Sequence, residues 1–472
     1  MDKQTATQLI GDTFNYPFDE GQFRNFAINL LNDVDETKGF DYLSGTYIRH
    51  SFKDHITKYR RLGTYTDPNG ETIDVLVVEL KNKWALQRSR TMLRNFTSDY
   101  LKNRDEKDAA LVAYYTSNPE DWRFSYIKME YKRVQTESGK FKIKEDVTPA
   151  KRYSFLVGKN EPNHTAQAQL VGMLSDDRNN PTLTELETAF SVDAVTKQFY
   201  KDYRAQFEKL WNELNDIVSK DHKISAEFES KTIDTANFAK KLMGQIVFLY
   251  FLQKKGWLGV GKDSEGNFKD WGTGPKNFLR RLYDKEFTDY GNFFNDILEP
   301  LFYEALATER TSDVFTQFNC KIPFLNGGLF EPINDYNWEE TDIRIDNDLI
   351  GDVFKTFDQY NFTVREDEPL EKEVAVDPEM LGKVFENLLP ENLRKGKGTY
   401  YTPRTIVHYM CQESLINYLD TECESVPKED IETLIREGDI ILELETAIVE
   451  QDKKYKSALM DSIKDNAQAL DD

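Results

Sequence analysis

Apolar residues recur along the chain at two different spacings, and the change between them marks out its organisation. Over Asp19–Asn32 (DEGQFRNFAINLLN), Phe23, Phe26, Ala27, Leu30 and Leu31 share one face at helical spacing, behind an Asp able to cap the first turn. The runs KYRRLGTYTD and ETIDVLVVELKN flank Pro68-Asn69-Gly70, which predicts a hairpin whose second strand is buried. An Arg-rich helix is expected over Leu86–Leu101, followed by strands in ALVAYYTSN, WRFSYIKMEYKR and KRYSFLVG. Helix, hairpin, helix and further strands predict an α/β (α+β) domain over residues 1–184.

Residues 185–385 are patterned differently. The segments FYKDYRAQFEKLWNELNDIV and NFAKKLMGQIVFLYFLQKKGW are long and amphipathic; in the second, Phe238, Leu242, Ile246, Leu249 and Leu252 keep helical spacing and Gly256 follows as a stop. This middle part is expected to be mainly helical. Residues 386–472 open on a basic, Gly-punctuated loop (NLRKGKGTYYTPR), continue into a helix expected over Thr405–Leu419, and end in charged helical sequence. No internal repeat or low-complexity tract interrupts this order.

At 472 residues with 39% hydrophobic content, the chain can bury several ordinary cores. Its strongly apolar runs, such as Ile246–Leu252, are far shorter than the ~20 residues that cross a bilayer, and MDKQTATQLIGDTF has no basic head or apolar body, so neither a membrane span nor a secretory signal is expected. Three cysteines without CxxC spacing fit a reducing cytoplasm better than a disulfide framework or a zinc ribbon. The formal net charge of −22 is unevenly spread. Residues 413–472 carry 17 Asp/Glu against 6 Lys/Arg, whereas residues 49–104 carry 12 Lys/Arg against 6 Asp/Glu. Since the Debye length at physiological salt is about 8 Å, distant acid does not prevent that basic region from holding a polyanion.

The basic region contains Ile73-Asp74-Val75-Leu76-Val77-Val78-Glu79-Leu80-Lys81. On a strand Glu79 and Lys81 project together, one carboxylate able to ligate Mg²⁺ and one amine able to orient water and offset charge building on a phosphate. A second carboxylate is needed, and several are available. Asp74 lies at an odd offset from Glu79, on the opposite face of a regular strand unless a bulge intervenes; Asp67 and Asp54 lie upstream, and Glu20 on the first helix could add a ligand. Arg88, Arg90 and Arg94 follow on a helix where they could meet DNA phosphates. The plainer alternative is a buried strand ending in a solvated Glu/Lys pair.

The stretch ending in Glu79-Leu80-Lys81 resembles the PD-(D/E)xK nucleases. LMGQIVFLYFLQKKGWLGV (242–260), IPFLNGGLFEP (322–332) and LGKVFENLLPENLRKGKGTYYTPRTIVHYM (381–410) resemble the connector and methyltransferase entry of type IIG restriction-modification enzymes. The resemblance implies a nuclease-like domain over 1–184, a helical connector over 185–385, and the start of an N6-adenine DNA methyltransferase over 386–472. It implies Mg²⁺ at Asp74 or Asp67 with Glu79, Lys81 as the catalytic helper, and phage defence by cleavage of double-stranded DNA. Thr399, Tyr400, Tyr401, Thr402 and Pro403 correspond to the motif bordering S-adenosylmethionine, where Thr402 and Pro403 suit a helix start. A Gly-rich cofactor turn and an Asn-Pro-Pro-Tyr-like motif for a flipped adenine are not found, so the chain is expected to be a front half whose methylation needs the missing methyltransferase and target-recognition part.

Overall fold

The computed structural model describes residues 1–82, 86, 90–103, 107–129, 133–135, 141–143, 150–325, 328–364, 371–378, 380, 382, 402, 404–423 and 425–436. Contacts divide the chain into two units: residues 1–191 with 367–374 and 398–472, and residues 192–366 with 375–397. The sequence pattern places boundaries after residues 184 and 385; the return of 367–374 to the first unit has no counterpart in that pattern.

The first unit is built on an eight-stranded mixed sheet. Strands β1 (Val34–Asp35) and β2 (Phe40–Ser44) both pair with β3 (Ile56–Thr66), and the sheet continues through β4 (Thr72–Leu80), β5 (Ala109–Thr116), β6 (Asp121–Lys128), β9 (Lys151–Gly158) and β12 (Glu371–Glu373). Strands β7 (Arg133–Gln135) and β8 (Phe141–Ile143) form a separate hairpin between β6 and β9. The β3/β4 pair is antiparallel and β4 lies parallel to β5, joined through a crossover that includes helix α3 (Arg90–Lys102). Strand β4 is apolar along most of its length because both of its faces are covered. On one face, Leu76, Val78 and Leu80 pack with Leu93, Phe96 and Tyr100 of α3. On the other lie helices α1 (Lys3–Phe14) and α2 (Glu20–Leu31), whose Phe14 and Phe26 meet Phe124 at 5.5 and 5.4 Å between ring centroids. Asp19 caps α2 through Gln22 N, as its position before the apolar face predicts.

Strand β12 brings two acids to the α3 face of this sheet. Glu371 accepts from Arg152 at 3.0 Å and lies 3.7 Å from Arg94, and Glu373 lies 3.6 Å from Arg123. All five side chains are nearly withdrawn from water, so each charge depends on its partners for stabilisation.

The second unit is mainly helical, with β10 (Val314–Phe315) and β11 (Cys320–Lys321) as a small hairpin. Its main helices are Val192–Lys220, His222–Ser230, Thr235–Lys254 and Asn347–Phe357. Thr235–Lys254 is apolar nearly all round and correspondingly buried, and Gly256 ends it with a φ of 69°, the left-handed conformation that favours glycine. Residues 294–306 wind with π-helical hydrogen bonding around the buried Glu299. No described helix is long and apolar enough to cross a membrane.

Candidate active site on the hairpin

The β3/β4 hairpin has two irregularities, and the one nearer the turn sets the site. Near the turn the partners are Thr66 with Thr72 and Thr64 with Asp74, but beyond a register shift between Arg61 and Gly63 they become Arg61 with Leu76, Arg60 with Val77 and Lys58 with Glu79. The extra residue at Leu62 exchanges the faces of Lys58 to Arg61, up to a second register shift between Ile56 and Lys58. Without it Lys58 would point away from Glu79. Gly63 is required beside this bulge, because a Cβ there would lie 2.6 Å from Cγ1 of Val34.

Strand β4 itself is regular, its pairing with β5 unbroken from Ile73 to Leu80. Asp74 and Glu79 therefore stand on opposite faces, and the bulge that could have united them lies in the neighbouring strand. Asp74 has no exposure and receives three donors: Arg61 Nη1 at 2.9 Å, Thr64 Oγ1 at 2.7 Å and Tyr100 Oη at 2.8 Å. The bulge lets both Arg61 and Thr64 reach it, although their numbers differ in parity. This carboxylate ties the hairpin to α3, so the expectation of Asp74 as a metal ligand beside Glu79 is corrected. Asp67 is corrected likewise: Oδ1 accepts from Asn69 N and Glu71 N, and Oδ2 accepts from Leu183 N. It closes the turn and holds the start of the helix Leu183–Ala189. Asp54 lies exposed in the turn before β3.

Glu79 opens instead onto the α2 face. Lys58 Nζ lies 3.2 Å from its Oε2, and Tyr115, its direct neighbour on β5, donates to the same oxygen at 3.0 Å. The hydroxyl of Tyr42 lies 3.2 Å from that of Tyr115 and donates to Glu20 Oε2 at 2.6 Å, while Arg60 Nη1 holds Glu20 Oε1 at 2.9 Å. Glu20 is the first residue of α2, where the helix N-terminus favours negative charge. Burial, helped by the Glu20 hydrogen bond, pushes the Tyr42 phenol far above its ordinary value, and burial pushes Tyr115 up to about 12, so both keep their protons. Two protons serve three contacts. With one donated to each carboxylate, none remains between the phenols, in keeping with that contact being the longest.

The result is a Glu20–Tyr42–Tyr115–Glu79 chain flanked by Lys58 and Arg60. Lys58 also lies 4.2 Å from the centroid of the Tyr42 ring. Glu79 retains 17% side-chain exposure and Glu20 31%, so both carboxylates can be reached from solvent. Glu79 Oε1 has no hydrogen-bond partner among the described residues. Lys81 is exposed just past the end of β4, its backbone N–H donating to His55 O at 2.9 Å. Among the described residues no group of three or more His, Cys, Asp or Glu side chains is assembled to hold a metal ion. The site offers Glu79, an oxygen donor that suits Mg²⁺, which commonly uses one or two carboxylates and completes its shell with water and substrate phosphate; Glu20, both of whose oxygens are held by Tyr42 and Arg60, is linked to it through the two phenols.

The arginines expected to meet DNA separate. Arg94 is only 1% exposed and packs against Glu371 and Asn95, so its assignment to DNA is corrected: β12 claims it for the interior. Arg90 begins α3, and Arg88 lies outside the described residues. Of the expected cofactor motif, Thr402 is exposed outside regular structure, and Thr399, Tyr400, Tyr401 and Pro403 lie outside the described residues. Tyr42, Tyr115, Lys58 and Arg60 were not singled out by the sequence pattern. For Lys58 the only available signal was hairpin register, which the bulge changes.

No family model matches the chain, and no solved structure matches it. In an alignment 251 positions long that covers 47% of this chain, it is 33% identical to a protein of Methanocaldococcus jannaschii named Putative type II restriction enzyme and methyltransferase RM.MjaORFECS2P. The aligned part spans 19% of that relative, about a fifth of its length.

Proposed function

We propose that this chain is part of a restriction-modification enzyme acting on double-stranded DNA, its first unit a Mg²⁺-dependent endonuclease coupled to an adenine-specific methyltransferase that uses S-adenosylmethionine. The observation that carries the nuclease reading is the pairing of Glu79 with Lys58 at the solvent-reaching end of a buried strand, with Glu20 linked to Glu79 through Tyr42 and Tyr115, on a hairpin joined by a helical crossover to a parallel neighbour. Similarity to the methanogen protein supports the restriction-modification setting.

Glu79 would hold the ion, with Glu20 as the second carboxylate. Bound there, Mg²⁺ would supply positive charge to polarise the scissile phosphate. Lys58 sits where it can offset charge developing on the phosphate, and Lys81 has the reach to contact the DNA backbone beside it. Tyr115 fixes the orientation of Glu79 and, protonated, leaves it one oxygen free. Thr399 to Pro403 are proposed to border S-adenosylmethionine in the complete enzyme.

A second reading has its own support: Glu79 and Glu20 are each paired with a cation, as they would be in a fragment that only binds DNA or a partner. Cleavage of supercoiled plasmid with Mg²⁺, with Mn²⁺ and with chelator separates the two. Metal-dependent nicking is expected, falling by about 100-fold or more in Glu79→Ala, since loss of a metal's several kcal/mol of stabilisation costs that much in rate. Nicking unchanged in Glu79→Ala would remove this site. Absence of nicking, alone and with the methyltransferase part added, would establish the binding reading.

A further inference from the structure

The second unit carries an aromatic and basic surface remote in sequence from the hairpin. After the long apolar helix, Gly256 O accepts from the backbone of Gly272 at 3.1 Å and of Gly274 at 3.0 Å. The crossing is tight: a Cβ at Gly256 would lie 2.4 Å from Gly272 O, and one at Gly274 2.1 Å from Leu258 O. Trp257 and Trp271 each adjoin a residue of this crossing. Both tryptophans remain exposed, at 37% and 38%. Each carries a lysine: Lys255 Nζ lies 4.7 Å from the centroid of the Trp257 ring and Lys321 Nζ 5.5 Å from that of Trp271. In the segment of chain that joins the two tryptophans, the Lys262/Phe268 bridge places a third cation 4.9 Å from a third ring.

The composition is unusual for this chain. Residues 254–276 contain five lysines against three acids in a protein of net charge −22. One of those acids, Asp263, uses Oδ1 to accept from Glu265 N and Asn267 N, which shapes the loop. Exposed flat rings bordered by amines offer a stacking surface for bases and positive charge for the backbone that joins them; paired bases in a duplex hide their faces, and unpaired bases do not. We propose that this surface, centred on Trp257 and Trp271, binds single-stranded DNA through base stacking and lysine–phosphate contacts. This extends the DNA reading to the second unit without depending on cleavage.

The test is fluorescence anisotropy of a labelled single strand of about 20 nucleotides, and of the same strand in a duplex, titrated with the full chain in chelator over a range of salt. Single-strand binding should exceed duplex binding. Trp257→Ala and Trp271→Ala should each weaken it by about 10-fold, as loss of one stacked base predicts, while the Phe variants keep most of the affinity. Lys255→Glu with Lys262→Glu should weaken binding and lower its salt dependence. Thermal melting identifies the variants that remain folded. Folded Ala variants that bind as the native chain does, or sensitivity to the lysines alone, would overturn stacking; preference for the duplex would overturn the single-strand assignment. Plasmid nicking lost in Glu79→Ala with single-strand binding intact, or the reverse, reports on each proposal separately.

Discussion

Replacing Glu299 by Gln should make the second unit gain stability relative to the native chain as pH rises from acid to neutral and alkaline. Glu299 has no exposure; Oε1 accepts from Tyr336 Oη at 2.5 Å, and Oε2 has no hydrogen-bond partner among the described residues. Burial pushes its carboxyl from an ordinary 4.5 up to about 9, only partly opposed by the Tyr336 hydroxyl. The folded form therefore keeps a proton that the unfolded chain releases above about pH 4.5. Stability from this group is complete below that pH and falls as pH rises through the interval to about 9, by about 1.4 kcal/mol per pH unit. At pH 7.5 the loss is about 4 kcal/mol. A neutral Gln keeps the acceptor for Tyr336, and its amide replaces one unpartnered O–H with two N–H groups, so that cost cancels only in part and leaves an offset that does not change with pH. Calorimetric melting should show the Tm gap between variant and native chain shifting in the variant's favour by roughly 8–16 °C between pH 4.5 and pH 7.5. Melting curves that run parallel at every pH would refute the reasoning.

Glu371→Ala leaves Arg94 and Arg152 buried without their carboxylate and should cost about 3–5 kcal/mol in urea unfolding. Asp74→Ala and Glu79→Ala should dissociate stability from chemistry. The first strands three donors in the interior and should cost about 3 kcal/mol or more, whereas the second removes a partly exposed pair and should cost about 1 kcal/mol or less while abolishing nicking. Equal unfolding midpoints for the two would contradict the separation of faces. Gly63→Ala forces a Cβ against Val34 and should destabilise the first unit by about 1–3 kcal/mol, measured by thermal melting.

Parts of both units could be read locally. The cap at Asp19 and the apolar face of α2, the turn over residues 67–71 and the stop at Gly256 each depend on residues a few positions apart, whose spacing is set by chain geometry. The odd offset of Asp74 from Glu79 was legible too, but whether a bulge would bring them to one face was not; the regular pairing of β4 with β5 separates them. Helix α3 was also expected, but its apolar spacing could not show which of its arginines would be buried.

The sequence by itself thus determined the main helices, the hairpin and the uneven distribution of charge, because these follow from periodicity and composition. Tertiary structure alone decided the partners. One extra residue at Leu62 turns Lys58 and Arg60 toward Glu79 and Glu20 while Arg61 turns to Asp74. Tyr42 and Tyr115 meet between the two carboxylates from separate strands, and β12 reaches Arg152 across 219 residues of chain to bury Glu371 beside Arg94. Such pairings depend on register and on long-range burial, where a one-residue shift reverses every side chain and a distant strand supplies the opposite charge.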